Sequence, residues 1–286
     1  MIFGSTKVVA LIGDPVERSL SPPIQNAAFR ALRLDYVYVA FRVTRDQLPK
    51  AVEATRTLDL AGLNVTHPHK ISILGLLDQL DEEASAIGAV NTVKNEGGRL
   101  KGYNTDGRGA VRVLEERVGS LSGKNVLLIG AGGAARAIAF SLAEKGANLS
   151  IANRTLARAK ELSVELERKR GVRARVVSVK PWSLSEAVKG ADILINATTV
   201  GMYPRTRETL VYAKMMHPNL TVFDIVYQPY YTRLLREAKR AGAKIVSGVE
   251  MLVAQAALSF EIWTGRQAPV EVMRREAWRL VRRWKF

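Results

Sequence analysis

The chain has 286 residues, long enough for two domains that each bury a hydrophobic core. Hydrophobic residues make up 47% and charged residues 24%, proportions typical of soluble globular proteins. Cysteine is absent, which excludes disulfides, thiolate catalysis and cysteine-ligated metals. Three histidines are too few to favour a histidine-built centre, so we expect no metal.

The basic residues give a formal net charge of +16 and are spread along the chain without a low-complexity tail. Net charge affects encounter and solubility rather than fold, so we expect small anionic ligands and no specific nucleic-acid partner. The start, Met-Ile-Phe-Gly-Ser-Thr-Lys, lacks a signal region, and no apolar run reaches the ~18 residues of a membrane span. These features predict a cytoplasmic protein without membrane contact.

The first elements are a strand over residues 7–12 and a helix that extends to about Leu32. Ser21 is predicted to cap this helix, because Pro22 suits the first helical position. Ser19 lies in the loop before it. Two hydroxyls beside a helix N-terminus would also suit a small carboxylate.

The next segments alternate as strand, helix and strand over residues 36–43, 46–57 and 60–65, which predicts a parallel α/β sheet. The third strand runs into the polar segment 64–70, Asn-Val-Thr-His-Pro-His-Lys. Ligands usually bind at the carboxyl ends of such strands. Lys70 follows a proline and is predicted to start a short helix, where a single lysine is more often solvated than catalytic.

His67 and His69 are spaced like a metal-binding pair on a strand, but no third ligand is visible. Farther on, strand-like residues 88–94 and 99–103 flank the turn Asn-Glu-Gly-Gly and predict a β-hairpin that closes the first sheet. Asp106 follows this hairpin, at the start of the next helix. On local grounds alone its favoured role is to cap that helix.

Residues from 124 onward contain six strand-like runs, near 125, 148, 174, 191, 221 and 244, most of them separated by helical segments. This is the strand count of a complete dinucleotide-binding sheet. The apolar run 126–129 stops at Gly130, and Gly130, Gly132 and Ala135 have the spacing G-x-G-x-x-A. Such a loop lets a diphosphate lie on the backbone and on the free N–H groups of the following helix.

The cofactor preference follows from the end of the second of these strands, at Asn153-Arg154-Thr155. An NAD-binding unit carries an acidic residue there for the ribose 2′-hydroxyl. This chain has Arg154, with Arg158 one helical turn later and no carboxylate between them. A guanidinium pairs with a 2′-phosphate, so NADP is predicted; the alternative is that both arginines are ordinary surface charge.

The last section begins with residues 248–263, which are apolar nearly all round and predict a buried helix with Gln255 in its middle. Gln255 needs hydrogen-bond partners there, which a ligand could supply. One apolar face of the final helix contains Met273, Ala277, Leu280, Val281 and Trp284. We expect it to pack on the first domain rather than to lie on a membrane surface.

Taken together, eight ordered blocks resemble the shikimate dehydrogenase family over nearly the whole chain. The blocks are Ser19-Leu-Ser21-Pro, Asn64-Val-Thr-His-Pro-His-Lys70, Gly88-Ala-Val-Asn-Thr92, Gly102-Tyr-Asn-Thr-Asp106-Gly, Gly130-Ala-Gly-Gly, Asn153-Arg-Thr155, Asn196-Ala-Thr-Thr-Val-Gly-Met202 and Gly248-Val-Glu-Met-Leu-Val-Ala-Gln255. The chain departs from the family at His67, where an apolar residue is usual, and at Ala135, where glycine is frequent. Neither position is expected to carry chemistry.

The resemblance implies roles for individual residues. Lys70 matches the family's catalytic lysine, and Asp106 matches the aspartate paired with it. The residues that match the family's substrate contacts are Ser19, Ser21 and Tyr227 for the carboxylate. For the ring hydroxyls and carbonyl they are Asn64, Thr66, Lys70, Asn91, Asp106 and Gln255. The predicted NADP contacts are Gly130, Ala131, Gly132, Gly133, Ala134, Asn153, Arg154, Thr155, Arg158, Thr198, Met202, Gly248 and Met251.

The family architecture implies an α/β substrate domain, residues 1–108 with 249–286, and a Rossmann-type doubly wound NADP domain, residues 109–248, with the active site in the cleft between them. The implied reaction is the reversible reduction of 3-dehydroshikimate to shikimate by NADPH, a step toward chorismate and the aromatic amino acids. Whether Lys70 donates the proton or chiefly stabilises charge stays open. The alternatives are a quinate/shikimate dehydrogenase of relaxed substrate or cofactor choice and a non-catalytic NADPH-binding regulator. A monomer and a homodimer are both compatible with the sequence.

Overall fold

The computed structural model describes residues 2–283, which form two compact units. The first contains the described residues up to Asp106 and Val253–Leu280, and the second contains Gly107–Leu252 and the described residues after Leu280. The limits predicted from the sequence were residues 108 and 249. Trp284, predicted on the apolar face of the last helix, lies outside the described residues.

The first unit is built on a six-stranded sheet in the order β2-β1-β3-β5-β6-β4. Its strands are β1 (Lys7–Gly13), β2 (Tyr36–Arg42), β3 (Gly62–Val65), β4 (Gln79–Leu80), β5 (Thr92–Glu96) and β6 (Arg99–Tyr103). β1 pairs in parallel with β2 and β3, whereas β5 is antiparallel to both β3 and β6. The predicted α/β sheet with a hairpin is therefore confirmed, but the edge next to the hairpin is occupied by β4, which the sequence did not predict.

Three helices belong to this part of the chain, α1 (Ser21–Ala31), α2 (Leu48–Thr57) and α3 (Glu82–Ile87). The prediction that Ser21 caps α1 is wrong, because Ser21 is the first helical residue and Leu20 occupies the cap position. The loop turns one residue earlier than expected, with the Ser19 N–H donating to the Val16 carbonyl at 3.0 Å. Ser19 then accepts a hydrogen bond at 3.2 Å from the Ser21 N–H.

The second unit contains a six-stranded, all-parallel sheet in the order β12-β11-β10-β7-β8-β9. Its strands are β7 (Asn125–Ile129), β8 (Asn148–Ala152), β9 (Arg175–Val177), β10 (Ile193–Asn196), β11 (Thr221–Asp224) and β12 (Lys244–Ser247). Its helices are α4 (Asp106–Val118), α5 (Gly133–Glu144), α6 (Leu156–Arg170), α7 (Pro181–Lys189) and α8 (Arg233–Arg240). The strand order reverses between β7 and β10, which confirms the predicted Rossmann-type fold.

The last helices are α9 (Gly248–Thr264) and α10 (Val270–Val281). The later part of α9 packs within the first unit, where the Trp263 indole N–H donates to the Val93 carbonyl at 2.9 Å and Phe260 stacks on Phe29 with ring centroids 5.2 Å apart. A methyl group at Gly62 would meet Trp263 at 2.5 Å, so this strand position has room only for glycine. None of the helices described between residues 2 and 283 has the length and apolar character needed to cross a bilayer.

Candidate active site

Lys70 and Asp106 form an ion pair in the first unit, with Nζ and Oδ2 2.5 Å apart. Their side chains are 19% and 7% exposed, so both charges are largely removed from water. The Asn91 amide donates to the other oxygen of Asp106 at 2.9 Å. Both carboxylate oxygens therefore have a partner outside the helix, which places Asp106 in a polar cluster rather than in the capping role that local sequence favoured.

Lys70 lies in a turn, so the prediction that it starts a helix is wrong. The turn is held by the His69 N–H, which donates to the Thr66 carbonyl at 2.9 Å, and the short 3₁₀ helix Leu74–Leu76 begins four residues after Lys70. The Lys70 carbonyl accepts a bond from the Val90 N–H at 2.8 Å. The backbone that presents the ammonium group is thus fixed to the segment that precedes β5.

Asn64 and Asn91, two predicted substrate contacts, are buried behind this pair. The Asn64 amide donates toward the Asn91 carbonyl at 3.0 Å, the Thr92 hydroxyl at 3.1 Å and the Ser259 hydroxyl at 3.3 Å. Its oxygen accepts from the Tyr38 hydroxyl at 2.7 Å. The orientation of Asn64 is therefore set entirely by protein partners.

The Asn91 side chain is held in the same manner. Its oxygen accepts from the Thr105 N–H and from the Thr92 hydroxyl, both at 2.9 Å. Its amide donates to the Thr105 hydroxyl and to Asp106, again at 2.9 Å. Asn91 consequently links Asp106, the partner of Lys70, to the hydroxyl groups of Thr92 and Thr105.

Four members of this polar network, Tyr38, Thr92, Thr105 and Ser259, were not predicted as site residues from the sequence. The Ser259 hydroxyl lies at its centre, 2.8 Å from that of Thr92 and 3.2 Å from that of Thr105. One signal was available: Ser259 follows Gln255 by four residues and so shares its helix face. The half-buried Gln255 offers its backbone carbonyl to the Ser259 hydroxyl at 3.0 Å.

Replacing Ser259 by alanine is expected to lower the free energy of unfolding by about 1–3 kcal/mol, because buried donors lose an acceptor. Urea denaturation of both proteins measures this difference. The exposed Ser122→Ala provides the control and should change stability by less than about 0.5 kcal/mol. Equal losses in the two variants would contradict the central place of Ser259.

Ser19, Ser21 and Thr66 lie on the segments that follow β1 and β3, two neighbouring parallel strands. The Thr66 N–H donates to the Ile12 carbonyl at 3.0 Å, and a methyl group at Gly13 would meet the Thr66 side chain at 2.3 Å. The three hydroxyls therefore come from one edge of the first sheet, where ligands of α/β sheets bind.

The two histidines of the same segment differ in exposure. His67 is exposed, whereas His69 is fully buried and its Nε2 atom lies 2.7 Å from the Val43 carbonyl, to which it donates. Among residues 2–283, no group of three or more His, Cys, Asp or Glu side chains is arranged to hold a metal ion.

The glycine-rich loop of the second unit joins the end of β7 to the start of α5. Gly130 has a φ of +126°, and a methyl group there would lie 2.7 Å from the Ala197 carbonyl oxygen, so no larger residue fits. The space beside Gly132 is open, with no atom within 4 Å of an added methyl group. The loop, which also contains Ala131, Gly133 and Ala134, leaves the N-terminus of the 12-residue α5 accessible to an anion.

Asn153, Arg154 and Thr155 follow β8, the neighbour of β7 in the sheet. The Asn153 amide donates to the Thr155 carbonyl at 2.8 Å and closes this turn. Arg154 and Arg158 are both exposed, and in the part of the chain that the structure describes neither is engaged in an ion pair. Two guanidinium groups are therefore available to an outside anion.

The other predicted cofactor residues follow the carboxyl ends of β10 and β12. The strand registers align Ile129 with Asn196, Asn196 with Asp224 and Asp224 with Ser247. The residues that come after these strand ends are Thr198 and Met202 beyond β10, Tyr227 beyond β11, and Gly248 and Met251 beyond β12. All of them therefore belong to the same edge of the second sheet as the glycine loop.

Three family descriptions match successive parts of the chain. Residues 11–93 match the shikimate dehydrogenase substrate binding domain, residues 112–227 match shikimate/quinate 5-dehydrogenase, and residues 248–277 match the shikimate 5′-dehydrogenase C-terminal domain. A curated relative, the shikimate dehydrogenase (NADP⁺) of Methanopyrus kandleri, is 52% identical over 276 residues, which cover 96% of this chain and 95% of the relative.

Solved structures give the same result. A shikimate dehydrogenase crystallised with NADP⁺ is 44% identical, superposes with a TM-score of 0.94 and is matched over 98% of both chains. The shikimate 5-dehydrogenase of Listeria monocytogenes, crystallised with shikimate and NAD, is 40% identical with a TM-score of 0.89, over 96% of this chain and 97% of that one. The fold, the two sets of polar residues and these similarities lead to one conclusion: the chain belongs to the shikimate dehydrogenase family.

Proposed function

We propose that the chain catalyses the reversible NADPH-dependent reduction of 3-dehydroshikimate to shikimate. The observation that carries this proposal is the Lys70–Asp106 pair, 2.5 Å apart and surrounded by the polar network of Asn64 and Asn91. A largely buried ammonium beside groups that bind hydroxyls suits a polyhydroxylated ring with a carbonyl. Family membership supplies the identity of that ring.

The residues at the edge of the second sheet fit NADP. The positive φ of Gly130 and the open space beside Gly132 let a diphosphate approach the backbone and the N-terminus of α5. The exposed Arg154 and Arg158 can pair with a 2′-phosphate, and no carboxylate stands between them to repel it. NADPH supplies the hydride that reduces the carbonyl carbon.

The substrate carboxylate is assigned to the hydroxyls of Ser19, Ser21 and Tyr227. Burial raises the pKa of the Tyr227 phenol, so this group keeps its proton at neutral pH and donates a hydrogen bond. Thr66, Gln255, Asn64, Asn91 and Asp106 are assigned to the ring hydroxyls. Because the protein already orients both asparagines, binding the ring requires little reordering of their side chains.

Lys70 acts where negative charge develops during reduction. Its ammonium donates a hydrogen bond to the carbonyl oxygen, stabilises the growing charge and transfers a proton to give the alcohol. Asp106 orients the ammonium through the 2.5 Å contact, and Asn91 holds Asp106. In the reverse direction Lys70 takes the proton from the alcohol as the hydride leaves.

The test of the proposal is a steady-state assay of the purified protein. With 3-dehydroshikimate we expect rapid loss of NADPH absorbance, and in the reverse direction a higher kcat/KM for shikimate with NADP⁺ than for quinate or with NAD⁺. A higher kcat/KM for quinate would instead favour the quinate dehydrogenase alternative. Tight NADPH binding without turnover of either ring would favour the regulator.

A further inference from the structure

Among the described residues of the second unit, one carboxylate is fully buried, that of Asp224, and the proposed chemistry does not use it. Asp224 is the last residue of β11, so its backbone lies at the edge where the predicted cofactor residues are found. It receives three hydrogen bonds, from the Asn196 amide at 2.9 Å, the Val226 N–H at 3.1 Å and the Thr232 hydroxyl at 2.6 Å. These donors come from three separate segments of the chain.

The first of these segments is the loop after β10. Asn196, held by Asp224, accepts hydrogen bonds from the Thr198 N–H at 3.2 Å and from its hydroxyl at 2.7 Å, and donates to the Val200 carbonyl at 3.2 Å. The carboxylate thereby fixes the loop that contains Thr198 and Met202, two predicted cofactor contacts.

The second and third segments are the loop after β11 and the start of α8. Val226 precedes Tyr227, and Thr232 is the N-cap of α8, where its hydroxyl oxygen also accepts from the Leu235 N–H at 3.3 Å. A backbone bond from the Tyr203 N–H to the Gln228 carbonyl at 2.9 Å joins this loop to the one after β10. One buried carboxylate thus connects both loops to α8.

We propose that the ionised Asp224 is a positioning residue that holds the 197–202 and 225–232 loops in the conformation that binds the cofactor. The inference rests on the proposed function in one respect, the assignment of Thr198 and Met202 to the cofactor. Asp224 touches no reacting atom and acts only through Asn196, Val226 and Thr232.

The arrangement favours the charged form of Asp224. The Thr232 hydroxyl donates its proton to Oδ2 while accepting from the Leu235 N–H, so a proton on Oδ2 would end this donation and make the hydroxyl turn its own hydrogen away from the carboxyl group. Burial raises the pKa of Asp224 to about 6, in opposition to its hydrogen bonds, which lower it. The positioning function should therefore weaken as pH falls through that value.

Within residues 2–283, no neighbouring charge contributes to this pKa shift. Charged and titratable groups on the surrounding elements are Tyr203, Tyr227, Tyr230 and Tyr231 on the loops and Arg233, Arg236, Glu237, Lys239 and Arg240 on α8. Among the residues that the structure describes, none contributes to the shift, which comes from burial and from the three neutral donors. On α8, Arg233 and Arg240 pair with Glu237 and Arg236 donates to the Tyr231 carbonyl.

The test compares Asp224→Asn with the unaltered protein from pH 5 to pH 8. Asparagine keeps an acceptor for Asn196 and Val226 but directs amide hydrogens toward Thr232, so it resembles the protonated state at every pH. We expect the KM for NADPH of the variant to exceed that of the unaltered protein about tenfold at pH 8, with the ratio approaching one at pH 5. The 2′-phosphate of NADPH also titrates in this range, but it does so with both proteins and cancels in the ratio.

Three further measurements separate this role from a general loss of structure. Asp192→Asn, at the opposite edge of the sheet, makes the same chemical change and should leave the KM for NADPH unaltered at every pH. Thr232→Val should raise the KM for NADPH, whereas Thr232→Ser, which keeps the hydroxyl, should have the KM of the unaltered protein. Because the folded state raises the pKa of Asp224, protonation favours folding, so the melting temperature of Asp224→Asn relative to the unaltered protein should increase from pH 4 to pH 8.

Direct titration of NADPH without substrate keeps this inference distinct from the reaction itself. If the unaltered protein binds NADPH but reduces no 3-dehydroshikimate, the reaction assignment fails. The ratio of the Kd for NADPH of Asp224→Asn to that of the unaltered protein still tests the positioning role. A ratio near one at pH 8, or a ratio that does not change between pH 8 and pH 5, would overturn the proposal.

Discussion

Replacing Lys70 by alanine is expected to lower kcat for 3-dehydroshikimate by about 10²–10⁴-fold while leaving KM nearly unchanged. The ammonium is needed where charge grows on the carbonyl oxygen, and that charge develops in the transition state rather than in the bound ketone. Stopped-flow or steady-state measurement of NADPH oxidation gives both constants. A variant that keeps more than a tenth of kcat would exclude the catalytic role.

A folding defect must be separated from a chemical one, because the substitution leaves Asp106 as a buried carboxylate without its cation. Lys70→Met fills the same space with an apolar chain, and NADPH binding together with far-UV circular dichroism shows whether each variant remains folded. Lys50→Ala, an exposed lysine on α2, is the matched control and should retain full activity.

The alanine variant also leaves a cavity that a small amine can enter. Ethylammonium added to Lys70→Ala should restore part of kcat, because it returns a donor next to Asp106, whereas Lys70→Met has no room for it. If ethylammonium restored kcat in both variants, or in neither, the loss of kcat would be assigned to a change of structure rather than to the missing ammonium.

The larger elements of the fold could be predicted from sequence because their signals are local. The six strands of the second unit are short apolar runs between turns, and the abrupt stop of the run at residues 126–129 predicts the turn at Gly130. By contrast, β4 has only two residues, too few for any periodicity, and exists because Gln79 and Leu80 pair with Lys101 and Gly102. Tertiary pairing, not local propensity, forms this strand.

Helix α3 is a different omission, since its signals were present. Asp81 accepts from the Ala84 N–H at 2.7 Å as an N-cap, and Gly88 ends the helix with a φ of +69°. Aspartate followed by two glutamates and, five residues later, by glycine is a recognisable pattern for a short helix. Its six residues are too few to show the apolar periodicity from which a helix is predicted.

The candidate site shows the same division between local and tertiary information. The motifs predict Lys70, Asn91 and Asp106 as site residues, and in the structure Asp106 contacts both of the others. Tyr38 and Ser259 were missed because each lies in a hydrophobic pattern, one on β2 and one on α9, where a single hydroxyl has no meaning until the chain is folded. Only tertiary packing brings these hydroxyls to Asn64.

The second large effect is expected at the cofactor end of the second unit, where Arg154→Ala should lower kcat/KM for NADPH about 10- to 100-fold. Charge-assisted hydrogen bonds contribute about 1.5–3 kcal/mol each, and this arginine is offered to solvent without a competing carboxylate. NADH has no 2′-phosphate, so its kcat/KM should change little. The ratio of the two cofactors in steady-state assays measures the effect.

Charge and geometry can be separated at this position. Arg154→Lys keeps the charge but cannot make a bidentate pair with the phosphate. Its kcat/KM for NADPH should therefore lie between that of Arg154→Ala and that of the unaltered protein. Arg168→Ala, an exposed arginine near the other end of α6, is the control and should leave the cofactor ratio unchanged. The advantage of NADPH over NADH in the unaltered protein should also fall as salt increases, because exposed charges are screened.

The alternative assignment treats Arg154 and Arg158 as ordinary surface charge on the start of α6. Under it, Arg154→Ala would behave like Arg168→Ala and the cofactor ratio would be the same in both variants. If the pair binds one phosphate, the double variant Arg154→Ala/Arg158→Ala should lose less than the product of the single losses, because neighbours that share a ligand are not additive. If the ratio of kcat/KM for NADPH to that for NADH were equal in all these proteins, the residues at the end of β8 would not recognise the 2′-phosphate.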